Sequence, residues 1–206
     1  MNRLTPQQIA DAATAAGFEA RTVRAIVKVE TGGAGFDPAT GKLLIQFEPS
    51  WFRRKLSKAR LLEIERARLA RNAGSATDAQ LDLVANWETT QANAVEGQKR
   101  EWLAFNAAFA IDKTAAMLST SWGLPQMMGF NHAALGFRTV DALVDSFRES
   151  EANQLRGMLA FLNSKPALAK AVRAKDWPMV AYYYNGAGYK QFNYDRRLAA
   201  AYATVS

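Results

Sequence analysis

Helix signals run almost from end to end of this chain, and only one stretch breaks them with the two-residue period of a strand. Thr5, Pro6 and Gln8 supply an N-cap, a first-turn proline and a capping box, and the helix they open is expected to end at Gly17. A second helix covers Arg21 to Glu30. Gly35 to Gly41 is rich in turn residues, and Leu43 to Glu48 then alternates. Leu43, Ile45 and Phe47 fall on one side, Leu44, Gln46 and Glu48 on the other, so a small hairpin is expected here. From Pro49 onward the pattern is helical. A basic helix runs to about Asn72, Gly74-Ser75 breaks it, and Thr77 with Gln80 caps a short helix. Glu96 to Ile111 carries an apolar stripe through Trp102, Phe105, Ala108 and Phe109, followed by a turn over Lys113 to Leu118. One long helix is expected from Thr139 through Leu143, Phe147, Leu155, Leu159 and Phe161 to about Asn163. Shorter helices cover Pro166 to Lys175, Pro178 to Tyr184 and Asn193 to Ala203. The expectation is one mainly α domain over residues 1–206, with no repeat or long linker.

Within that frame Glu30 stands out. Val23, Ile26 and Val27 form an i, i+3, i+4 apolar stripe, and the next position on it is Glu30, whose carboxylate therefore points inward. Thr31-Gly32-Gly33 ends the helix. A carboxylate in a last turn meets the negative end of the helix dipole, and partial burial also penalises its ionised form. Both effects raise its pKa, which suits a general acid. The alternative is a glutamate paired with a nearby Arg or Lys.

The reactive inventory is short. There is no cysteine, which excludes thiol chemistry, disulfides and Cys-ligated zinc. The single histidine, His132, cannot furnish a multi-histidine metal site and has no nucleophile or orienting acid near it in sequence, so a structural role is expected. Carboxylate chemistry remains, and no metal or cofactor is expected. A formal charge of +7 predicts attraction to a polyanion such as nucleic acid, bacterial cell wall or an anionic membrane surface. Much of the excess lies in Arg53, Arg54, Lys55, Lys58, Arg60, Arg66, Arg68 and Arg71, on a helix that also carries Leu56, Leu61, Leu62, Ile64 and Leu69; the alternative is a solvated helix face without a partner. No stretch reaches the roughly 20 apolar residues of a membrane helix. Met1 to Gln8 lacks the apolar run of a secretory signal, so synthesis in a cytoplasm without an export tag is expected.

Two further segments have the makings of a binding site. Ser121-Trp122-Gly123-Leu124-Pro125-Gln126-Met127-Met128-Gly129 combines glycines that admit close backbone approach with an amide that both donates and accepts. Trp122 suits either stacking on a ring-shaped ligand or core packing. Tyr182-Tyr183-Tyr184-Asn185-Gly186-Ala187-Gly188-Tyr189 pairs aromatic faces with hydroxyl and amide groups at the end of a helix.

Taken in order, Val29-Glu30-Thr31, Gly123-Leu124-Pro125-Gln126 and Tyr184-Asn185-Gly186 resemble the signature of the lysozyme superfamily, as in goose-type lysozymes and soluble lytic transglycosylases. Over nearly the whole chain, including Ile45-Gln46-Phe47-Glu48, Ser121-Trp122-Gly123 and Asp176-Trp177, the sequence is similar to the N-acetylmuramidase family found in phage endolysins. The resemblance implies a lysozyme-like helical domain with one small β-hairpin beside the cleft and no separate wall-binding domain. It also implies cleavage of the β-1,4 bond between N-acetylmuramic acid and N-acetylglucosamine in peptidoglycan. Glu30 matches the general acid and Glu48 a second acidic position. Ser121, Trp122, Gln126, Tyr184 and Asn185 match positions that line the substrate groove. Where many relatives follow the Phe-Glu pair with a histidine-containing segment, this chain has Pro49-Ser50-Trp51-Phe52. The implied partner is the peptidoglycan glycan strand, bound by a monomer, with no nucleic acid and a charge-driven membrane contact through residues 53–71. A phage lysin of this kind accumulates in the host cytoplasm and acts in the periplasm; a secreted bacterial toxin would share its sequence features. Two other readings of the residues are a lytic transglycosylase and a non-catalytic basic binding module.

Overall fold

In the computed structural model, which describes residues 3–31, 33–89 and 97–205, helices surround one small antiparallel sheet. The chain is mainly α. Helix α1 (Pro6–Ala15) begins with the expected Thr5–Gln8 capping box and is followed by Gly17 at φ 77°. Helix α2 (Ala20–Thr31) buries Val23, Ile26 and Val27 against the core. Gly32 lies outside the described residues, and Gly33, at φ 93°, carries the backbone away.

Strand β1 (Ile45–Phe47) buries the side chains of Ile45 and Phe47, as the alternation requires. Its main partner is not local. The turn after Phe36 contributes a single antiparallel bridge, Phe36 to Leu43. Strand β1 pairs instead with β2 (Thr120–Trp122) in the register Ile45–Trp122, Gln46–Ser121 and Phe47–Thr120, and β2 turns back into β3 (Met127–Met128). Ser119-Thr120-Ser121 resembles a polar loop in the sequence, so its pairing with a distant strand could not be foreseen from local pattern.

Two expected helices are each two. The basic run divides into α3 (Pro49–Lys55) and α4 (Lys58–Asn72), because Ser57 adopts an extended conformation and accepts from the Arg60 N–H as an N-cap. The long helix after Thr139 divides into α8 (Val140–Glu149) and α9 (Glu151–Ser164), with Ser150 extended and accepting from the Asn153 N–H. Between them lie α5 (Asp78–Val84), α6 (Gln98–Ile111) and α7 (Lys113–Leu118). The expected start of α6 at Glu96 falls outside the described residues. On α6 Phe109 is 36% exposed, while Glu101 is fully buried in the stripe where only apolar groups were expected. The chain ends with α10 (Pro166–Ala174), α11 (Trp177–Asn185) and α12 (Tyr194–Thr204), close to their expected bounds.

Three polar side chains, Gln98, Glu101 and Gln154, fix the sheet against the helices. On α6 the Gln98 amide accepts from the Ile45 N–H and donates to the Ile45 carbonyl, at 3.0 and 2.9 Å, and Glu101 accepts from the Phe47 N–H at 2.7 Å. One turn of helix thus satisfies the open edge of β1, which would otherwise be buried unpaired. On α9 Gln154 accepts from the Leu124 N–H at 2.7 Å and donates to the Phe147 carbonyl at 2.8 Å. Gly35 and Gly123 both pack on its amide so closely that a Cβ would lie 1.9 and 2.6 Å from its Oε1. Neighbouring Glu151 receives the Leu4 and Gly35 N–H groups, each at 2.8 Å. These bonds join the loop after α2 to the β2–β3 turn, and so set the two sides of a cleft.

Candidate active site

That cleft encloses about 460 Å³ between the end of α2, the sheet and the α11–α12 corner. Glu30, Glu48, Ser121, Gln126, Tyr184 and Asn185 all line it. Six of the seven expected site residues, from segments scattered through the chain, meet in one place. Trp122 does not. It is fully buried, its indole N–H donates to the Met117 carbonyl at 3.0 Å, and its ring packs edge-on against Phe105 at 5.2 Å. Strand alternation explains the correction: with Ser121 facing the cleft, the next residue must face the core. His132 also lies outside the lining, its Nδ1 3.0 Å from the Phe137 carbonyl.

Glu30 occupies the last turn of α2, one position beyond the apolar stripe, and is half-buried. Burial raises its pKa to about 7; the Asn185 amide, which donates to Oε1 at 3.3 Å, and the nearby Arg197 charge offset part of that rise. Among the described residues no cation forms an ion pair with it, since the Arg197 guanidinium is committed to the Val29 carbonyl at 2.9 Å. The alternative of a structural ion pair is therefore not what the structure shows. Burial and the charge of Glu30 also raise the Tyr194 and Tyr184 pKa values.

Asn185 closes α11, and Gly186, at φ 87°, turns the chain away so that the amide can face Glu30. Tyr184, one residue earlier, donates its hydroxyl to the Pro125 carbonyl at 3.0 Å and presents its ring edge-on to Phe161. It thereby links α11 to the β2–β3 turn across the cleft. In that turn Gln126 adopts a left-handed conformation, φ 44°, and its amide nitrogen donates to the Gly123 and Leu44 carbonyls at 2.9 and 3.4 Å. Glu48 stands on the other wall, 5% exposed, immediately before the first turn of α3. It accepts from the Gln46 amide at 2.9 Å, and its own N–H donates to the Ser119 carbonyl at 2.9 Å.

Residues 19–206 match the N-acetylmuramidase family. The chain belongs to the N-acetylmuramidase family. Among solved structures it is similar to the endolysin of the Burkholderia AP3 phage, with 30% sequence identity, a TM-score of 0.72, and coverage of 98% of this chain and 70% of that one. No curated protein is significantly similar to it. As a member of the muramidase family with an endolysin-like structure, the chain is a peptidoglycan hydrolase of the glycosidase type.

The cleft also contains residues that the sequence did not mark as site residues. Gln46, Trp51, Asn131, Tyr189, Gln191 and Tyr194 line it, and Arg197 acts on Glu30 from behind. Gln46 was legible, because it shares the outward face of the strand with Glu48. The others were not: Asn131, Tyr189 and Gln191 come from short turns whose direction no period reveals, and Trp51 and Tyr194 lie in the first turns of α3 and α12, whose packing the sequence does not show.

Proposed function

We propose that this protein is an N-acetylmuramidase that hydrolyses the β-1,4 bond between N-acetylmuramic acid and N-acetylglucosamine, with Glu30 as general acid. The observation that carries this reading is a half-buried carboxyl group with a pKa near 7 in the same cleft as a second carboxylate. Protonated Glu30 gives its proton to the glycosidic oxygen as the bond from that oxygen to the muramic acid C1 breaks. Positive charge develops on the ring, and Glu48 stabilises it and takes a proton from the water that adds to C1. The Gln46 amide orients Glu48. The Asn185 amide, bonded to Oε1, leaves the other Glu30 oxygen to carry the proton. Ser121, Gln126 and the Tyr184 ring shape the groove.

The whole chain acts as one catalytic unit, a monomer without cofactor, metal or nucleic acid. Its likeness to a phage endolysin supports a role in host-cell lysis, with the protein held in the host cytoplasm before it reaches the periplasmic wall. Among the described residues no helix is long and apolar enough to cross a membrane. A charge-driven membrane contact has one structural support: Leu62 and Leu69 on α4 are 59% and 70% exposed and share a helix face with Lys58 and Arg66. Part of the basic run is neutralised, because Arg53 and Arg68 pair with Glu65 and Glu88, and Arg60 with Glu63. Binding to anionic vesicles that survives both high salt and Lys58→Gln/Arg66→Gln would rule out this charge-driven contact.

The deciding experiment digests purified peptidoglycan with wild type, Glu30→Gln and Glu48→Gln and identifies the new ends by mass spectrometry. Reducing muramic acid ends that disappear with Glu30→Gln are expected. Reducing glucosamine ends would make it a glucosaminidase. Anhydro-muramic ends, with Glu48 dispensable, would make it a lytic transglycosylase. Wall binding without cleavage would leave only a basic binding module.

A further inference from the structure

On the sheet side of the cleft lies a cluster that bond cleavage does not use. Trp51, at the mouth, packs against Phe130 with ring centroids 4.6 Å apart. The Arg54 guanidinium sits 5.1 Å over the Trp51 ring, and the Lys55 ammonium lies 5.6 Å from Trp51 and 5.2 Å from Phe130. Arg54 and Lys55 are exposed, and among the described residues neither forms an ion pair, in contrast to Arg53 one position earlier. Contact with the aromatic faces restrains both cationic heads at the rim while their N–H groups stay available to an oxygen ligand.

Two restrained cations beside an apolar platform fit a carboxylate attached to a partly apolar carrier. The neutral N-acetylhexosamine rings offer no such group. A muramic acid unit does: its lactyl arm ends in a carboxylate or, when that is amide-linked to a stem peptide, the stem carries carboxylates further out. We propose that Trp51, Arg54, Lys55 and Phe130 form a subsite for a carboxylate on the lactyl–stem side of the glycan strand. The subsite rests on the peptidoglycan reading of the adjoining cleft. It gives the enzyme a preference for the charged strand that Glu30 and Glu48 alone would not confer.

The test compares kcat/KM on stem-bearing strands, on amidase-stripped strands with a free lactyl carboxylate, and on both after their carboxylates have been converted to amides. Wild type is expected to favour the carboxylate-bearing forms by about threefold to tenfold, the size that two solvent-screened ion pairs produce. Arg54→Gln/Lys55→Gln is expected to bring that ratio close to one, whereas Lys55→Arg retains it. A preference confined to stem-bearing strands assigns the ligand to the stem; one shared by stripped strands assigns it to the lactyl group. A wild-type ratio of one, or a ratio that the double substitution leaves unchanged, overturns the subsite while muramidase activity stands. If wild type cuts none of the four substrates, the peptidoglycan reading fails and the subsite with it.

Discussion

Glu30 lies in the last turn of α2, at the negative end of its dipole, whereas Glu48 is the N-cap residue of the short helix α3, at the positive end of its dipole, with no capping bond from its side chain. The helical wall and the sheet wall of the cleft therefore offer opposite ends of a helix to their carboxylates. Their neighbours differ as well. Glu30 has a single amide donor and an apolar stripe behind it, with a pKa raised to about 7 by burial. Glu48 accepts from Gln46, itself on a strand whose outer edge Gln98 and Glu101 satisfy. On the proposed mechanism, the helical wall keeps a proton on Glu30 and the sheet wall anchors Glu48 through the Gln46 amide. Environments of this kind let two similar side chains divide acid and base roles.

The comparison can be broken most severely at its acid. Glu30→Gln should lower kcat by about 10³, within the range for loss of a general acid, measured on soluble peptidoglycan fragments. The same substitution should make the fold more stable at alkaline pH. Because the folded pKa of Glu30 lies above its ordinary value of 4.5, its protonated form is favoured by folding; the wild type loses stability as pH rises from 4.5 through about 7, and the glutamine does not. The gap should vanish below pH 4.5 and reach about 3 kcal/mol at pH 9, or about 6 to 12 °C in Tm by calorimetry. An equal or lower Tm for the variant at pH 9 would count against the helical wall as described.

The sheet wall should respond more mildly. Glu48→Gln should reduce kcat by about 10², since on the proposed mechanism it removes stabilisation of the charge that develops on the ring. Glu101→Ala, which leaves the buried Phe47 N–H without this acceptor, should cost about 2 kcal/mol and lower Tm by about 4 to 8 °C. If Glu101→Ala instead abolished cleavage in a protein of unchanged Tm, the residue would belong to the chemistry and not to the support of β1.

How much of this was legible in the sequence follows from the range of the interactions. Periods and caps act over a few residues, so α2, the capping boxes at Thr5 and Thr77 and the outward face of Gln46 and Glu48 are visible in the letters. The breaks at Ser57 and Ser150 were missed because apolar spacing continued across them, although a serine three residues before an N–H it can accept from is a cap signal. The partner of β1 was invisible, since no local pattern couples residue 45 to residue 122. For the site, chemical type pointed to Glu30, Gln126, Tyr184 and Asn185, and resemblance added Glu48 and Ser121. Trp122 was placed in the groove by resemblance; its own sequence context also allowed core packing, and strand alternation turns it inward. Arg197 could not be found at all: it reaches Glu30 only because α12 packs on α2.

The most direct measurement is a carbon-13 NMR titration of the glutamate carboxyl groups, with the Glu30 resonance assigned by its absence in Glu30→Gln. The account predicts that this carboxyl titrates near pH 7. A midpoint near the ordinary 4.5 would mean that Glu30 is ionised at neutral pH and would contradict its role as the acid.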